Sequence, residues 1–260
     1  MSAVGRVMVH EAASEGFGSV ADEYERARPD YPRGAVDRLA KELKIGASSR
    51  VLDLGAGTGK LTRMLTPLGA RVVAVEPIAS MREQLARVLP NLPLVAGVAE
   101  GLPFADGGFQ AVVCAQAFHW FDGERALAEN HRVLIPNGRL ALLWNVKDES
   151  VSWVRALGDI LRPHQARVPQ ETTGEWRDAF SASDLFGPLE EARFAHAQRL
   201  DAAGLVERYG SASYVATLPD AGRRDVLERI RRLADTHPDL SGKEEFEHPY
   251  VTELHWCTRR

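Results

Sequence analysis

The run Arg50-Val-Leu-Asp-Leu-Gly-Ala-Gly-Thr-Gly-Lys60 constrains this chain most, because an apolar strand ends in a carboxylate and then turns through three alternating glycines. Gly55, Gly57 and Gly59 allow a tight turn and let the backbone approach a ligand with no Cβ in the way. A helix opened by such a turn supplies unpaired N–H groups. Glu76 ends the next apolar run, Arg71-Val-Val-Ala-Val-Glu76. It stands about twenty residues beyond the loop, where a nucleoside-binding fold needs an acceptor for ribose hydroxyls. The two signals together predict a nucleoside-cofactor domain.

Departures from two better-known glycine loops narrow the cofactor. A phosphate-binding P-loop needs Ser or Thr after Gly-Lys, but Lys60 is followed by Leu61, so the magnesium-binding hydroxyl is missing. The dinucleotide fingerprint places its third glycine where Lys60 stands, and Asp53 would repel a pyrophosphate. The same carboxylate suits a ligand whose polar end is a zwitterionic amino acid. Asp53, directly or through water, balances the ammonium while the glycine-turn amides face the rest. S-adenosylmethionine has that end, plus a ribose for Glu76.

Four segments, Val51-Leu-Asp-Leu-Gly-Ala-Gly-Thr-Gly59, Val75-Glu-Pro77, Ala99-Glu-Gly-Leu-Pro-Phe104 and Arg132-Val-Leu-Ile-Pro-Asn-Gly138, make residues 17–145 resemble the class I S-adenosylmethionine-dependent methyltransferases. Within that superfamily the chain looks most like the small-molecule branch that includes the trans-aconitate methyltransferase-like proteins. The segments behind that likeness are Tyr24-Glu-Arg-Ala-Arg-Pro-Asp-Tyr-Pro32, Phe118-His-Trp-Phe121 and Ser211-Ala-Ser-Tyr214. The resemblance implies an α/β, Rossmann-like fold: a seven-stranded, mostly parallel sheet with an antiparallel last strand and a helical insertion or lid. It also implies S-adenosylmethionine as cofactor and a small-molecule methyl acceptor, with oxygen or carbon as the accepting atom.

Composition agrees. A chain of 260 residues, 45% hydrophobic, can bury a substantial core. A formal charge of -4 and the lack of a long Lys/Arg run argue against a dedicated nucleic-acid surface, and Arg223, Arg224, Arg229, Arg231 and Arg232 read as a solvated helix face. Two cysteines, Cys114 and Cys257, indicate neither a disulfide framework nor a zinc site, and a reducing cytoplasm is the expected location. No apolar stretch is long enough to span a membrane and no signal-peptide pattern opens the chain, so neither membrane nor nucleic acid is an expected partner. The expected state is a monomer or homodimer, and no metal is expected.

Apolar runs of strand length alternate with segments of helical period, the pattern of a parallel sheet covered on both faces. Strands are expected near 50–55, 71–76, 92–96, 110–116, 139–145, 192–200 and 250–259. Helices are expected at 35–43, 60–68, 78–88, 123–134, 150–166, 202–209 and 220–235, with Pro136-Asn-Gly138 as the turn between the fourth of them and the fifth strand. Residues 201–248 are too many for a hairpin loop between the last two strands, so they read as a helical insertion over the carboxyl ends of the sheet, acting as a lid. The expected organisation is a flexible N-terminus over 1–16, a cofactor-binding core over 17–145, and cap segments with strands six and seven over 146–260.

For the cofactor, the candidate residues are Asp53, Gly55, Ala56, Gly57, Glu76, Pro77, Met81, Ala99, Glu100 and Gln116. Where the family often has an aspartate before Ala99, accepting from the adenine amino group, this chain has Val98. The resemblance places Phe118-His-Trp-Phe121 beside the sulfonium methyl, with His119 as a general base or a hydrogen-bond donor to substrate, or as a histidine satisfied within the fold. Tyr24, Arg28 and Tyr31 lie on a segment that in similar enzymes folds across the cofactor, and the planar fork of Arg28 matches a carboxylate. Tyr31, Trp120, Trp144, Asn145, Arg208 and Tyr214 are the candidate acceptor-site residues, with His119, Arg28 and Tyr24 as the catalytic candidates. Two other readings keep the loop but change the activity: a catalytically silent cofactor-binding module and an NAD-dependent oxidoreductase.

Overall fold

The computed structural model describes residues 27–165, 169 and 171–260. The expectations placed on residues 1–16 and on Tyr24 lie outside the described residues.

Seven segments form strands, of which the apolar runs of the first, second, fourth and fifth are largely buried on both sides while the sixth alternates with exposed positions. They are β1 (Arg50–Leu54), β2 (Arg71–Val75), β3 (Leu94–Val95), β4 (Phe109–Ala115), β5 (Leu134–Lys147), β6 (Glu190–Leu200) and β7 (Phe246–Thr258). They form a seven-stranded sheet of order β3-β2-β1-β4-β5-β7-β6. The first five pair in parallel, while β7 runs antiparallel to both β5 and β6. Sequence alternation sorts the side chains onto two faces. Leu52, Val112 and Cys114 enter one apolar cluster, and Val51, Ala111 and Val113 enter the other. Both faces of these central strands are covered by apolar side chains, which is why they read as nearly unbroken apolar runs.

Helices cover the two faces. On one side α1 (Arg33–Glu42) buries Ala35, Val36 and Leu39. The loop after β1 leads into a single helical turn, α2 (Thr62–Leu65), and α3 (Ala79–Val88) follows β2. On the other side α4 (Gly123–Val133) begins where the Asp122 side chain accepts the N–H of Arg125 at 3.2 Å, and it buries Ala126, Leu127 and Val133.

The cap segments have their own interior. Helices α5 (Ser152–Gln165), α7 (Ala202–Gly210), α8 (Ser213–Ala216) and α9 (Asp220–Thr236) bring together Trp153, Leu157, Leu161, Leu205, Tyr209, Val215, Val226 and Ile230. A further helix, α6 (Trp176–Ser181), packs Trp176 into the cluster beneath α4. Among the described residues no helix is long and apolar enough to cross a membrane.

Two local expectations differ from what forms, and three short elements were not expected. Pro136-Asn-Gly138 does not separate α4 from the fifth strand: β5 begins at Leu134, and the pairing jumps from Phe109–Leu134 to Ala111–Arg139. The turn chemistry is present, with Asn137 at φ 60, but it makes a bulge inside continuous pairing. The helix expected over 60–68 shrinks to one α-turn and a 3-10 turn over Thr66–Leu68, because the glycine turn takes up Lys60 and Pro67 has no N–H to donate. Finally, α6, α8 and a 3-10 turn at Phe118–Trp120 span too few residues to show a helical period.

Candidate active site

Sheet order reverses between β1 and β4, so the loops leaving their carboxyl ends part in opposite directions and open a crevice. A cleft of about 1160 Å³, counting the space continuous with solvent, lies there. Its wall includes Gly55, Ala56, Gly57, Glu76, Pro77, Met81, Ala99, Glu100 and Gln116, together with Arg28, Tyr31, Trp120, Asn145 and Arg208. Residues from both halves of the chain thus meet at one opening.

The glycine loop is held by its own amides. The N–H groups of Gly55 and Ala56 both donate to the carbonyl of Val75, at 2.9 and 3.1 Å, and that of Gly59 donates to Ala56 at 3.0 Å. The N–H of Gly57 donates to Glu76 Oε2 at 2.9 Å. The expectation that the turn amides face the ligand is therefore corrected: these four are used within the protein, and the loop offers the cleft bare backbone instead. Gly55 (φ 69) is required twice over, since a Cβ there would lie 2.7 Å from the Ala117 Cβ. At Gly57 (φ 58) a Cβ would meet nothing within 4 Å, because that position faces the open cleft.

Glu76 sits at the tip of β2, buried, with both carboxylate oxygens engaged. Oε2 takes the Gly57 N–H and Oε1 takes the Ile78 N–H, each at 2.9 Å. Burial pushes its carboxyl above the usual range, while the two N–H groups and the nearby Arg82 hold it down. Arg82 Nη1 ties the turn by donating to the carbonyls of Glu76 and Pro77 at 2.9 and 2.6 Å.

Asp53 is placed differently from the sequence expectation. It is 1% exposed and stands behind the loop instead of in the cleft wall, its Oδ2 accepting from Thr62 Oγ1 at 2.6 Å. Its Oδ1 is buried without a hydrogen-bond partner, and burial raises its pKa to about 7, with the nearby Glu76 adding to the rise. Its local role is to brace the first turn of α2 through Thr62.

Further corrections concern β4 and β5. The 3-10 turn at Phe118–Trp120 aims Trp120 and Phe121 into the cleft and leaves His119 out of its wall. Nδ1 of His119 accepts from Trp144 Nε1 at 3.1 Å, so the lone pair expected to act as a base is already used. Trp144 itself is 1% exposed, packed on Trp176 with ring centroids 4.5 Å apart, and is core, not acceptor wall. Tyr214 packs against the apolar interior of the cap and is likewise absent from the wall. Glu100 does line the cleft, but its Oε1 accepts the N–H of Asp122 at 2.8 Å, which directs the carboxylate toward the start of α4.

Several cleft residues were not singled out from the sequence: Pro29, Thr58, Lys60, Ile78, Gly97, Ala117 and Phe121. Phe121 lay within a segment already flagged, and only the turn geometry tells which of its aromatics face inward. Gln116 is held at φ 57, a left-handed conformation rare for a side chain other than glycine. Its Nε2 donates to the Asn145 carbonyl at 3.4 Å, linking the tips of β4 and β5.

Comparison with known proteins fits this geometry. A family described as a methyltransferase domain matches residues 52–142, the span from β1 to β5. An uncharacterized methyltransferase of Mycobacterium tuberculosis is 41% identical over 236 residues, covering 91% of this chain and 92% of that one. The chain belongs to the class I S-adenosylmethionine-dependent methyltransferases. A methyltransferase-like protein of Schizosaccharomyces pombe is 33% identical over 237 residues, again covering 91% of this chain and 92% of its own. Among solved structures, a putative type II methyltransferase from Anaeromyxobacter dehalogenans superposes with a TM-score of 0.63 at 25% identity, over 89% of this chain and 96% of that one. The family likeness extends beyond 52–142 into the cap, since the two sequence relatives cover nearly the whole chain. The sequence likeness of this methyltransferase to them therefore spans the segments of both the sheet and the cap helices.

Proposed function

We propose that this methyltransferase binds S-adenosylmethionine in the cleft and transfers its methyl group to a small-molecule acceptor, at an oxygen or a carbon. The observation that carries the reading is Glu76: a carboxylate at the tip of β2, in the cleft wall, fixed by two backbone N–H groups. A carboxylate offers about four lone-pair directions, so two remain for the paired hydroxyls of a ribose. The open space at Gly57, which any Cβ would fill, fits a nucleoside laid against bare backbone. Met81, Ala99 and Phe121 supply apolar surface for the base, and Arg28 a planar fork for the amino-acid carboxylate.

The bound cofactor supplies an already activated methyl. What remains for the protein is to align the acceptor and exclude water, and well-oriented reactants gain on the order of 7 to 11 kcal/mol from positioning alone. Gln116, Trp120, Tyr31, Asn145 and Arg208 form the part of the wall suited to that task. No histidine among the described residues lines the cleft, so positioning takes precedence over an imidazole base.

Titration calorimetry with S-adenosylmethionine, followed by incubation with methyl-labelled cofactor and cell extract and mass identification of the labelled product, tests the reading. Cofactor binding with a labelled small molecule is expected. Binding without transfer would mark a silent module, and quenching of nicotinamide fluorescence in its place would mark an oxidoreductase.

A further inference from the structure

The two edges of the sheet are unequal. At one edge β3 is two residues long, whereas β6 at the other runs for eleven, Glu190–Leu200, in unbroken register with β7 and without a proline. A short edge strand is protected by its length. A long and regular one offers a row of backbone N–H and C=O groups to any strand that comes alongside. Among the described residues β7 is the only strand paired with β6, and no backbone bond reaches β6 from its outer side. One face of the strand is covered, since Phe194 packs with the apolar cluster of α1. The other face carries Glu191, Arg193, Ala195, Ala197 and Arg199, all exposed.

The strand is complementary to itself. A two-fold axis through Ala195, its middle residue, lays two copies of β6 antiparallel over their whole length. Residues directly opposite then share a face, with Glu191 against the partner's Arg199 and Arg199 against the partner's Glu191. Opposite charges in that position stabilise an antiparallel pair. On the covered face the same register sets Phe194 against the partner's His196, an aromatic pair. Moving the axis one residue back, to Phe194, pairs no opposite charges. Moving it one residue on, to His196, sets Arg193 against the partner's Arg199 twice, and like charges oppose pairing. The register that pairs the most backbone is thus also the one that the charges favour. Within one chain Arg199 meets Glu245, and Glu191 lies 3.9 Å from Arg177 and 3.7 Å from His255 Nδ1. Glu191 and Arg199 are nevertheless 56% and 73% exposed, and ion pairs at that exposure hold a side chain only weakly.

We propose that β6 is the interface of a homodimer, in which the exposed edges of two copies of this chain pair antiparallel about Ala195 and join their sheets into one. The contact is isologous, the commonest symmetry of soluble oligomers, and it closes the edge that would otherwise remain open to further pairing. The inference stands apart from the identity of the methyl acceptor.

The full chain is examined by sedimentation equilibrium over a range of concentrations, with hydrogen exchange of the β6 amides followed at the same concentrations. A dimer is expected, and its formation should slow exchange within 190–200. A wild type that stays monomeric overturns the proposal, whether its β6 amides exchange fast or are protected by another part of the same chain. A dimer that leaves those amides exchanging as in the monomer overturns it as well.

Charge reversal tests the register. Glu191→Arg alone, or Arg199→Glu alone, sets like charges opposite each other at both ends of the interface and should raise the dissociation constant on the order of tenfold or more. The double variant restores opposite charges and should return the constant to within about threefold of wild type. Both side chains are exposed, so all three variants should melt close to the wild-type temperature. Single variants that dimerise as tightly as the wild type, or a double variant no tighter than the singles, would place the contact in another register or on another surface and overturn the proposal.

Discussion

Gly57 donates its N–H to the carboxylate of Glu76 at 2.9 Å, tying the loop after β1 to the tip of β2. One acid thereby performs two tasks: it fixes the loop before any ligand arrives and presents its remaining lone pairs to the cleft. Glu76→Ala should lower affinity for S-adenosylmethionine by roughly two decades, the worth of two charge-assisted hydrogen bonds. It should also destabilise the unliganded protein by about 1–3 kcal/mol, because the Gly57 and Ile78 N–H groups lose their acceptor. Calorimetry and denaturant unfolding read the two effects separately, and undiminished cofactor affinity in the variant would remove Glu76 from the binding site.

Asp53 makes stability depend on pH in a definite direction. Its pKa is raised to about 7 in the folded protein, above its ordinary value of 3.8, so between those values the folded state holds a proton that the unfolded state has lost. Stability from this group is fully present below about pH 4 and declines as pH rises toward and past 7. Asp53→Asn, which cannot ionise, should therefore gain on the wild type as pH rises, by up to a few kcal/mol at pH 8 relative to pH 5. Urea unfolding at four pH values measures the difference between the two proteins, and a difference that stays flat would show that the buried carboxyl titrates normally.

The two strand-end acids illustrate what can be read from residues alone. Their position at neighbouring tips follows from apolar runs buried on both faces, and all seven strands form close to where the alternation places them. The direction in which each acid faces does not follow. Glu76 meets the cleft while Asp53 turns behind the loop toward Thr62, a partner nine residues away that only the folded turn brings close. Likewise Phe118-His-Trp-Phe121 was recognisable as a site segment, but a three-residue turn decides that Trp120 faces inward and His119 does not. Regular elements do not settle the direction either: Arg208 and Asn145 line the cleft, while Trp144 and Tyr214, also on regular elements, pack into apolar interiors.

His119 is expected to matter for stability more than for turnover. Its Nδ1 is the acceptor for Trp144 Nε1, and Trp144 is buried among Trp176, His255 and the apolar cluster under α4. His119→Ala leaves that indole N–H without its acceptor, a cost of about 1–3 kcal/mol. Melting should shift down by several degrees with kcat within about twofold of wild type. A collapse of kcat by the roughly 10²- to 10⁴-fold typical of a lost general base, with cofactor affinity intact, would restore the imidazole to the chemistry.

Gln116 tests whether strain at the tip of β4 serves the site. A side chain at φ 57 costs on the order of 1 kcal/mol, which glycine does not incur, yet the backbone N–H of Gln116 still donates to the Leu143 carbonyl at 2.8 Å and keeps the turn in place. Gln116→Gly should therefore fold at least as stably as the wild type, within the fraction of a kcal/mol that added unfolded-state entropy takes back. The same change removes the Nε2 bond to the Asn145 carbonyl and opens space in the cleft wall between the cofactor and the acceptor residues. Alignment of the reacting groups is the main lever for methyl transfer, so kcat should fall by tenfold or more, on the order of the loss that a misplaced reactant incurs. If Gln116→Gly instead matches wild type in kcat while gaining stability, the left-handed side chain does no work in the cleft. If it loses stability, the φ of 57 is not a strained state at all.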